Sequence, residues 1–497
     1  PSVEEWNEAG TWELVSQSDR ETLDVDADGM EAWQLTYGAE TYTLESPLSG
    51  SLRTVTTTFP DGTGSVSQLD GGRLDWIRRL DDAGSHLRTV TRSYDEFGRV
   101  GSVIDSIDGT TTWLYDDLGR ITSETLPDPD PSDPADGPET RTTAYTLLAN
   151  GNEQQVVTHP GSVTTTTVFD PQGRAVLRYG FGTWPEAWTY DPAGRQATLT
   201  TWQDFDTASG TGLAGETVTR WEYNDAGLLV QKHYNDTPTA SEPGPLQDYT
   251  PGGLLLTRTL PRNGNDGQPI VVSYDYEDGE TGEPHTARLI GVSYGANTPY
   301  TDDVTYTWDN RGRLKTVEDG GGRRRLSYEA GQVVSDLYET GPLAGFGHSL
   351  SLDSANGYRP SGRSILSPTG TLRSESLAYD AFGRMDALTV DDDTVAYGFH
   401  HDTAFPTTST VSRDGTTSVS QTRVYDRRGR LDSIDASDGS NTLFSAAQTF
   451  DTHGRVTRIT LEGGAYWDYG YDSMGQVTSG VKKDSGGTAL PGYTFGY

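Results

Sequence analysis

Three aspartates near the start of the chain have the spacing of a calcium loop. Asp24, Asp26 and Asp28 stand at alternate positions and are followed by Gly29. Alternating carboxylates ahead of a turn glycine form the first half of the loop that holds Ca²⁺ between two helices. The twelfth position, which supplies a bidentate glutamate in that loop, is Leu35 here. The segment therefore fits a calcium site or an acidic turn without metal, and calcium is the one cofactor that the sequence suggests.

Two further runs contain residue types that occur in catalytic or binding sites. His400-His401-Asp402 has the composition of a metal site or a catalytic dyad, but adjacent residues of a strand point to opposite faces. By spacing, His401-Asp402 occupies the aromatic-Asp slot of the repeat described below. Arg323-Arg324-Arg325 follows three glycines and fits either an anion contact or the start of a strand. Because no carboxylate pair stands out and no nucleophile, phosphate-loop or dinucleotide motif is present, we do not predict an enzyme.

The charge and composition of the chain limit its partners. Its formal net charge of −36 repels phosphate backbones and anionic lipid, so we expect no nucleic-acid partner. No apolar stretch approaches 18 residues, so we expect no direct membrane insertion. The absence of cysteine excludes disulfides and thiolate metal sites. Abundant glycine, 59 residues, together with 26 tyrosines and 11 tryptophans favours short strands joined by glycine turns.

The strongest pattern is a repeated hexapeptide, aromatic-Asp-x-x-Gly-Arg. Several copies are 21 residues apart, and turn dipeptides such as Asp108-Gly109 lie midway between copies. Two turns of about four residues leave two strands of about six or seven, which is one β-hairpin per repeat. The copies, the last with Gln in place of Arg, are Tyr94, Asp95, Gly98, Arg99; Tyr115, Asp116, Gly119, Arg120; Phe169, Asp170, Gly173, Arg174; Tyr190, Asp191, Gly194, Arg195; Trp308, Asp309, Gly312, Arg313; Tyr379, Asp380, Gly383, Arg384; Tyr425, Asp426, Gly429, Arg430; Phe450, Asp451, Gly454, Arg455; and Tyr471, Asp472, Gly475.

The residue types of the motif suit a tight turn. We expect the aspartate carboxylate to accept hydrogen bonds from the amides two and three residues later, and the glycine to have positive φ. A bulge after the turn would bend the sheet. Pairs such as Trp113 and Tyr115 place two rings on one face of a strand, which predicts an aromatic layer. The arginine stem would follow this layer, with its charge near the aspartates. Weaker copies, among them Tyr274-Asp275, fill the gaps between full motifs.

These features predict an all-β fold, a repeat array of β-hairpins that coils into a curved sheet. We expect residues 1–497 to be one continuous array, with divergent repeats over 1–68 and an acidic, proline-rich loop insertion over 127–138 that is solvated and mobile. Both ends resemble interrupted motifs, which indicates part of a longer polypeptide.

At these motifs the chain resembles the Rhs/YD-repeat family, which includes bacterial polymorphic-toxin Rhs proteins, the B–C components of Tc toxins, wall-associated bacterial proteins and the teneurins. The resemblance covers nearly the whole chain. It implies a hollow shell, or cocoon, incomplete in this chain. In the toxins the shell encloses a C-terminal effector that is released after self-cleavage. The Asp-Pro cleavage segment expected after the last repeats is absent here, so the resemblance implies the shell but not the cleavage.

The resemblance predicts a structural shell or scaffold of a large secreted or cell-surface bacterial protein. Its partners would be further repeats of the same polypeptide and a C-terminal cargo or toxin outside this chain. The alternative is a cell-surface adhesin or wall-associated protein that binds carbohydrate or a surface protein. That alternative rests on the wall-associated members of the family and on Trp184 and Trp188, which could stack on sugar rings if exposed, although core packing explains Trp188 more economically.

Overall fold

The computed structural model describes residues 2–6, 12–25, 31–37, 40–46, 48–59, 62–131, 137–237, 240–264, 266–278, 284–295, 302–353, 358–380, 382–400, 403–490 and 493–494. Most of these residues lie in antiparallel strands, which confirms the all-β prediction. Two short 3-10 turns, Pro160–Ser162 and Glu462–Gly464, are the helical segments that can be described. Within the part of the chain described here, no helix has the length and hydropathy needed to cross a bilayer.

Two long sheets of 21 strands each are formed by strands that pair in chain order. The first sheet contains β1 (Ser2–Trp6), β2 (Trp12–Val25), β3 (Glu31–Tyr37), β4 (Glu40–Ser46), β5 (Leu48–Ser49), β6 (Leu52–Thr58), β7 (Gly64–Asp70), β8 (Arg73–Leu80), β9 (His86–Tyr94), β10 (Val100–Asp105), β11 (Gly109–Tyr115), β12 (Ile121–Leu126), β13 (Glu139–Leu147), β14 (Glu153–Thr158), β15 (Thr164–Phe169), β16 (Ala175–Gly180), β17 (Glu186–Tyr190), β18 (Gln196–Thr201), β21 (Thr217–Tyr223), β22 (Leu229–Thr237) and β23 (Ala240–Pro243). A separate hairpin of β19 (Asp204–Asp206) and β20 (Thr211–Ala214) is inserted between β18 and β21.

The second sheet follows the same plan. It contains β24 (Leu246–Tyr249), β25 (Leu255–Asn263), β26 (Pro269–Asp278), β27 (Pro284–Ser293), β28 (Val304–Trp308), β29 (Leu314–Asp319), β30 (Gly322–Glu329), β31 (Gln332–Tyr338), β32 (Gly347–Asp353), β33 (Arg359–Ser367), β34 (Gly370–Tyr379), β35 (Met385–Val390), β36 (Asp393–Phe399), β37 (Pro406–Arg413), β38 (Thr416–Tyr425), β39 (Leu431–Ser437), β40 (Thr442–Phe450), β41 (Val456–Leu461), β42 (Tyr466–Tyr471), β43 (Val477–Lys483) and β44 (Tyr493–Thr494). Each full motif joins two strands of one hairpin, which confirms the predicted hairpin array.

The turns lie at the two ends of the strands, and we call each row of strand ends an edge. The motif edge carries the motif turns, such as residues 94–99 and 115–120, and the return edge carries the connections between them, such as residues 105–109 and 158–164. Beside the motif edge the pairing register shifts by one residue: Leu114 pairs with Ser123, but Tyr115 pairs with Ile121. Such a bulge adds local twist, and its recurrence at successive motifs curves the sheet.

The two faces of the sheet differ in chemistry. In β11 the side chains of Thr110, Thr112 and Leu114 are exposed, whereas those of Trp113 and Tyr115 are half-buried. The exposed face carries paired hydroxyl groups across neighbouring strands, and we call it the hydroxyl face. Examples of its pairs are Ser93 with Ser102, Thr125 with Thr140 and Thr189 with Thr198. The opposite face carries the motif rings and their charged partners.

The molecule has little conventional core. The fully buried apolar residues that can be described are few, and one small cluster of Ile270, Val272 and Val292 packs against Tyr274 and Tyr306. The accessible surface is 28429 Å², whereas a compact monomer of 53.9 kDa would expose about 18,000 Å². The excess follows from single-layer sheets, which leave large parts of both faces uncovered.

The second sheet passes back along the first. Arg428 Nε donates to the carbonyl of Pro127, which lies 301 residues earlier, and Arg428 Nη2 donates to the carbonyl of Gly137, 291 residues earlier. Stretches of the chain about 300 residues apart are therefore in contact. We call the stretch around residues 94–200 the first winding and the stretch around residues 379–476 the second winding.

Candidate functional site

The motif turn is a closed network of hydrogen bonds centred on its aspartate. Asp116 Oδ1 accepts from the N–H groups of Leu118 at 3.0 Å and Arg120 at 2.9 Å. The sequence led us to expect the amides two and three residues later, and the second of these was wrong. The amide three residues later belongs to Gly119, and it donates to the Asp116 carbonyl at 2.9 Å instead. Gly119 has φ of +82°, the conformation for which the motif requires glycine.

The motif arginine completes the turn with a charged contact. Arg120 Nε lies 2.7 Å from Asp116 Oδ2. The Arg120 N–H, together with the guanidinium and the Leu118 N–H, lowers the pKa of Asp116 against the opposing effect of desolvation. The same Asp–Arg contact occurs in Asp95–Arg99, Asp170–Arg174, Asp191–Arg195, Asp309–Arg313, Asp380–Arg384, Asp426–Arg430 and Asp451–Arg455. In the last motif Gln476 replaces arginine, and its N–H donates to Asp472.

Successive repeats are joined by ring, cation and hydroxyl contacts. The Arg99 guanidinium lies over the ring of Tyr115 at 4.5 Å, and the Tyr115 hydroxyl donates to the carbonyl of Val100 at 2.8 Å. The rings therefore alternate with guanidinium groups rather than forming a layer of rings alone. Equivalent cation–π contacts join Arg120 to Tyr145, Arg174 to Tyr190, Arg195 to Tyr223, Arg313 to Tyr328, Arg430 to Phe450 and Arg455 to Tyr471. At Trp308 the indole N–H takes the place of the tyrosine hydroxyl and donates to the carbonyl of Leu289 at 2.9 Å.

Two degenerate repeats differ from the positions expected from spacing. Phe399 lies under the Arg384 guanidinium at 4.5 Å, and the His400 N–H donates to the Phe405 carbonyl. Phe399-His400 therefore occupies the aromatic-Asp slot, and our assignment of this slot to His401-Asp402 was wrong; His401 and Asp402 lie outside the described residues. Similarly, Tyr276 rather than Tyr274 donates to the preceding repeat, because Tyr274 packs in the small apolar cluster.

The two windings meet along a seam, and Arg428 is its best-defined contact. Its side chain is only 11% exposed, and its Nη1 lies 2.6 Å from Glu139 Oε2. The Arg428 bonds to Pro127 and Gly137 and a hydrogen bond from the Arg427 N–H to the Pro129 carbonyl, 3.0 Å long, complete this contact. We expected the 127–138 insertion to be surrounded by solvent; its described ends instead bind the second winding. We call this set of contacts the arginine clasp.

A second part of the seam is aromatic. Phe181 lies between His159 of its own winding, at 5.5 Å, and His453 of the second winding, at 4.2 Å. The Gly182 N–H approaches the Ser473 carbonyl at 3.4 Å. Burial, with smaller effects from Arg141 and His453, lowers the pKa of His159. Beside these contacts is a cleft of about 430 Å³ lined by residues of both windings.

Comparison with known proteins identifies the repeat. A family model of the RHS repeat matches residues 94–130 and 450–488, which include the motifs at Tyr94, Tyr115, Phe450 and Tyr471. The chain therefore contains RHS repeats. No curated protein matches its sequence.

One solved structure shares the fold of this chain, and a second aligns with it more weakly. The crystal structure of TcdB2-TccC3-TEV aligns with a TM-score of 0.53 and 16% identity, over 89% of this chain and 24% of that chain. A mutated Tc holotoxin pore from Photorhabdus luminescens aligns with a TM-score of 0.49 and 13% identity, over 91% of this chain and 27% of that chain. The RHS-repeat chain thus spans about a quarter of the length of these two structures.

The remaining candidate sites are distinct from the RHS motifs. Asp26 and Asp28 lie outside the described residues, and the Asp24 side chain is not described, so calcium binding stays a prediction. Among the residues that the structure does describe, no group of three or more His, Asp or Glu side chains is arranged to hold a metal.

Contacts within the sheet give structural roles to residues of the basic run 323–325 and to Trp188. Arg324 pairs with Asp336 at 2.8 Å on the adjacent strand, and Arg323 pairs with Glu339 at 3.2 Å. The Arg178 guanidinium lies over the Trp188 ring at 5.6 Å, and Trp184 is half-buried. These cross-strand contacts are typical of sheet packing.

Proposed function

We propose that this RHS-repeat chain forms a section of the wall of an encapsulating shell. The RHS repeats and the fold shared with TcdB2-TccC3-TEV support a structural role. Encapsulation requires more than a curved sheet, because the wall must also be continuous from one winding to the next.

The observation that carries the proposal is the seam. A loose ribbon would leave gaps between windings through which water and proteases could reach a cargo. Here the Arg428 side chain is buried against residues that precede it by about 300 positions, and Phe181 packs against His453 at a second point. A sheet whose successive windings contact each other at two points is suited to enclose a volume.

The internal structure of the ribbon also suits a wall. Each motif turn is closed by its own Asp–Arg contact, and each arginine or tyrosine also contacts the neighbouring repeat. Contacts between nearest neighbours add along a repeat array, so the wall gains stiffness without a thick core. The large accessible surface fits the same interpretation.

The enclosed cargo would be another part of a longer polypeptide, such as a toxin. Neither the repeats nor the described contacts form a catalytic arrangement, so we propose isolation of the cargo rather than its chemical modification. A secreted or cell-surface setting belongs to the same proposal.

Small-angle X-ray scattering of the chain tests the proposal. A solid globule of 497 residues would have a radius of gyration of about 23 Å, and an unfolded chain about 83 Å. We expect a value clearly above the first and far below the second, with a pair-distance distribution shifted to long distances as in a hollow body. A distribution that matches a filled globule, or a flexible coil, would overturn the shell proposal.

A further inference from the structure

The second variable residue of the motif, two positions after the aspartate, has different surroundings in the two windings. In the second winding it is Phe382, Arg428, His453 or Met474, and none of these is exposed. Arg428 and His453 contact residues of the first winding, and Met474 lines the cleft between the windings. The motif turn itself places no demand on this residue beyond its backbone amide, which donates to the aspartate. Its side chain is therefore available to form the seam.

The corresponding residues of the first winding are exposed. They are Phe97, Leu118, Gln172 and Ala193. Phe97 is 72% exposed and Leu118 is 78% exposed, although both are large and apolar. Their motifs are 21 residues apart on neighbouring hairpins, so both side chains lie on the same motif edge, where the Phe97 ring also lies 4.9 Å from the Arg99 guanidinium.

The seam has a direction. At Arg428, at His453 and at Ser473, the motif edge of the second winding meets the return edge of the first. Such a contact is head-to-tail, because two different surfaces meet. The described seam uses the motif edge of the second winding and the return edge of the first. A further contact of this kind would join the other two surfaces, the motif edge of the first winding and the return edge of the second.

The return edge of the second winding has matching chemistry. Leu443 is 51% exposed and Phe444 is 45% exposed, directly after the Asp438–Asn441 turn. Exposed apolar side chains on both edges would lose contact with water if the edges met, and the burial of apolar surface favours association.

We propose that the motif edge at Phe97 and Leu118 is a docking surface for the return edge at Leu443 and Phe444 of a second copy of this chain. The contact would continue between copies the edge-to-edge packing that the seam shows within one copy. Because a head-to-tail contact leaves one free edge of each kind, it extends into a series of oligomers rather than closing as a dimer. The inference depends on the seam geometry and not on any cargo.

Sedimentation velocity over a range of concentrations tests the docking surface with two double variants. Phe97→Ser/Leu118→Ser removes the apolar motif edge, and Leu443→Ser/Phe444→Ser removes the apolar return edge. We expect the wild-type chain to form dimers and longer oligomers, and each double variant alone to associate at least about tenfold more weakly. An equimolar mixture should form heterodimers that do not extend, because it retains one intact pair of edges.

Leu213→Ser is the matched control, since Leu213 is 62% exposed but lies on the inserted hairpin. It should associate like the wild type, and all variants should keep the wild-type melting temperature because the changed side chains are exposed. A monomeric wild-type chain at every concentration, unchanged association of the variants, or a mixture that stays monomeric would each contradict the proposal. Scattering from the monomer tests the hollow form separately, so failure of docking leaves the shell proposal standing.

Discussion

Gly119 shows how one residue fixes the geometry of a repeat. Its φ of +82° lies in the left-handed region, and its N–H closes the turn on the Asp116 carbonyl. A Cβ at this position would approach only the Arg99 guanidinium, at 3.7 Å. The requirement for glycine is therefore one of backbone conformation and not of space.

Gly119→Ala should destabilise the repeat by about 1–2 kcal/mol, the cost of a left-handed alanine. The measurement is the midpoint of urea unfolding together with hydrogen exchange of the amides in β11 and β12. Gly252→Ala is the control, because Gly252 has no positive φ and only Thr250 Oγ1, at 3.8 Å, lies within 4 Å of its Cβ position. Equal effects of the two substitutions would show that backbone strain does not explain the motif glycine.

At the scale of elements, the seam joins strands that are far apart in sequence. The arginine clasp combines a charge contact to Glu139 with two bonds to backbone carbonyls, and the Arg428 side chain is mostly withdrawn from water. Removing one partner of such a contact leaves the remaining polar groups desolvated and without a partner. The resulting loss of folding stability is larger than the net stability that the contact contributes.

Arg428→Ala should therefore destabilise the coil by about 3 kcal/mol and expose the 127–138 insertion to proteases. Limited proteolysis and thermal melting measure the two effects. Arg311→Ala is the matched control, since Arg311 holds the same place in the motif at Trp308 but its side chain is exposed. Cleavage at the same rate in both variants would argue against the clasp.

The aromatic part of the seam should respond to pH. Burial holds the pKa of His159 below its usual value of 6.5, so the unfolded chain binds the proton more tightly than the folded chain. The stabilisation is then present above about pH 6.5 and is lost as the pH falls through the folded pKa. Melting temperatures between pH 8 and pH 5 should fall less steeply in His159→Gln than in the wild type; parallel curves would contradict this.

At the scale of the whole molecule, the formal net charge of −36 acts against the compact coil. Exposed like charges repel each other, and at 0.1 M salt this repulsion is largely screened beyond about 10 Å. The melting temperature should rise when the sodium chloride concentration is raised from about 0.02 M to about 0.3 M, the range over which screening changes most. Potassium chloride should act equally, because the effect depends on ionic strength, and a fall in melting temperature would show that attractive ion pairs dominate instead.

The sequence by itself determined the all-β class and the hairpin repeat, because these depend on local interactions. Asp116 and Gly119 form a turn from atoms within five residues of each other, and such chemistry can be read along the chain. Degenerate copies were harder to place, because Phe399-His400 keeps the geometry of the motif without its aspartate.

Only the tertiary structure decided which residues form the seam. Nothing near Arg428 in sequence distinguishes it from arginines that are exposed, and its partners Pro127 and Glu139 lie about 300 residues away. That separation is set by the accumulated twist and bend of many hairpins, each contributing a small angle that no single motif specifies. The same physical reason explains why Phe97 and Leu118 are exposed while Met474, at the equivalent place in its own motif, is not.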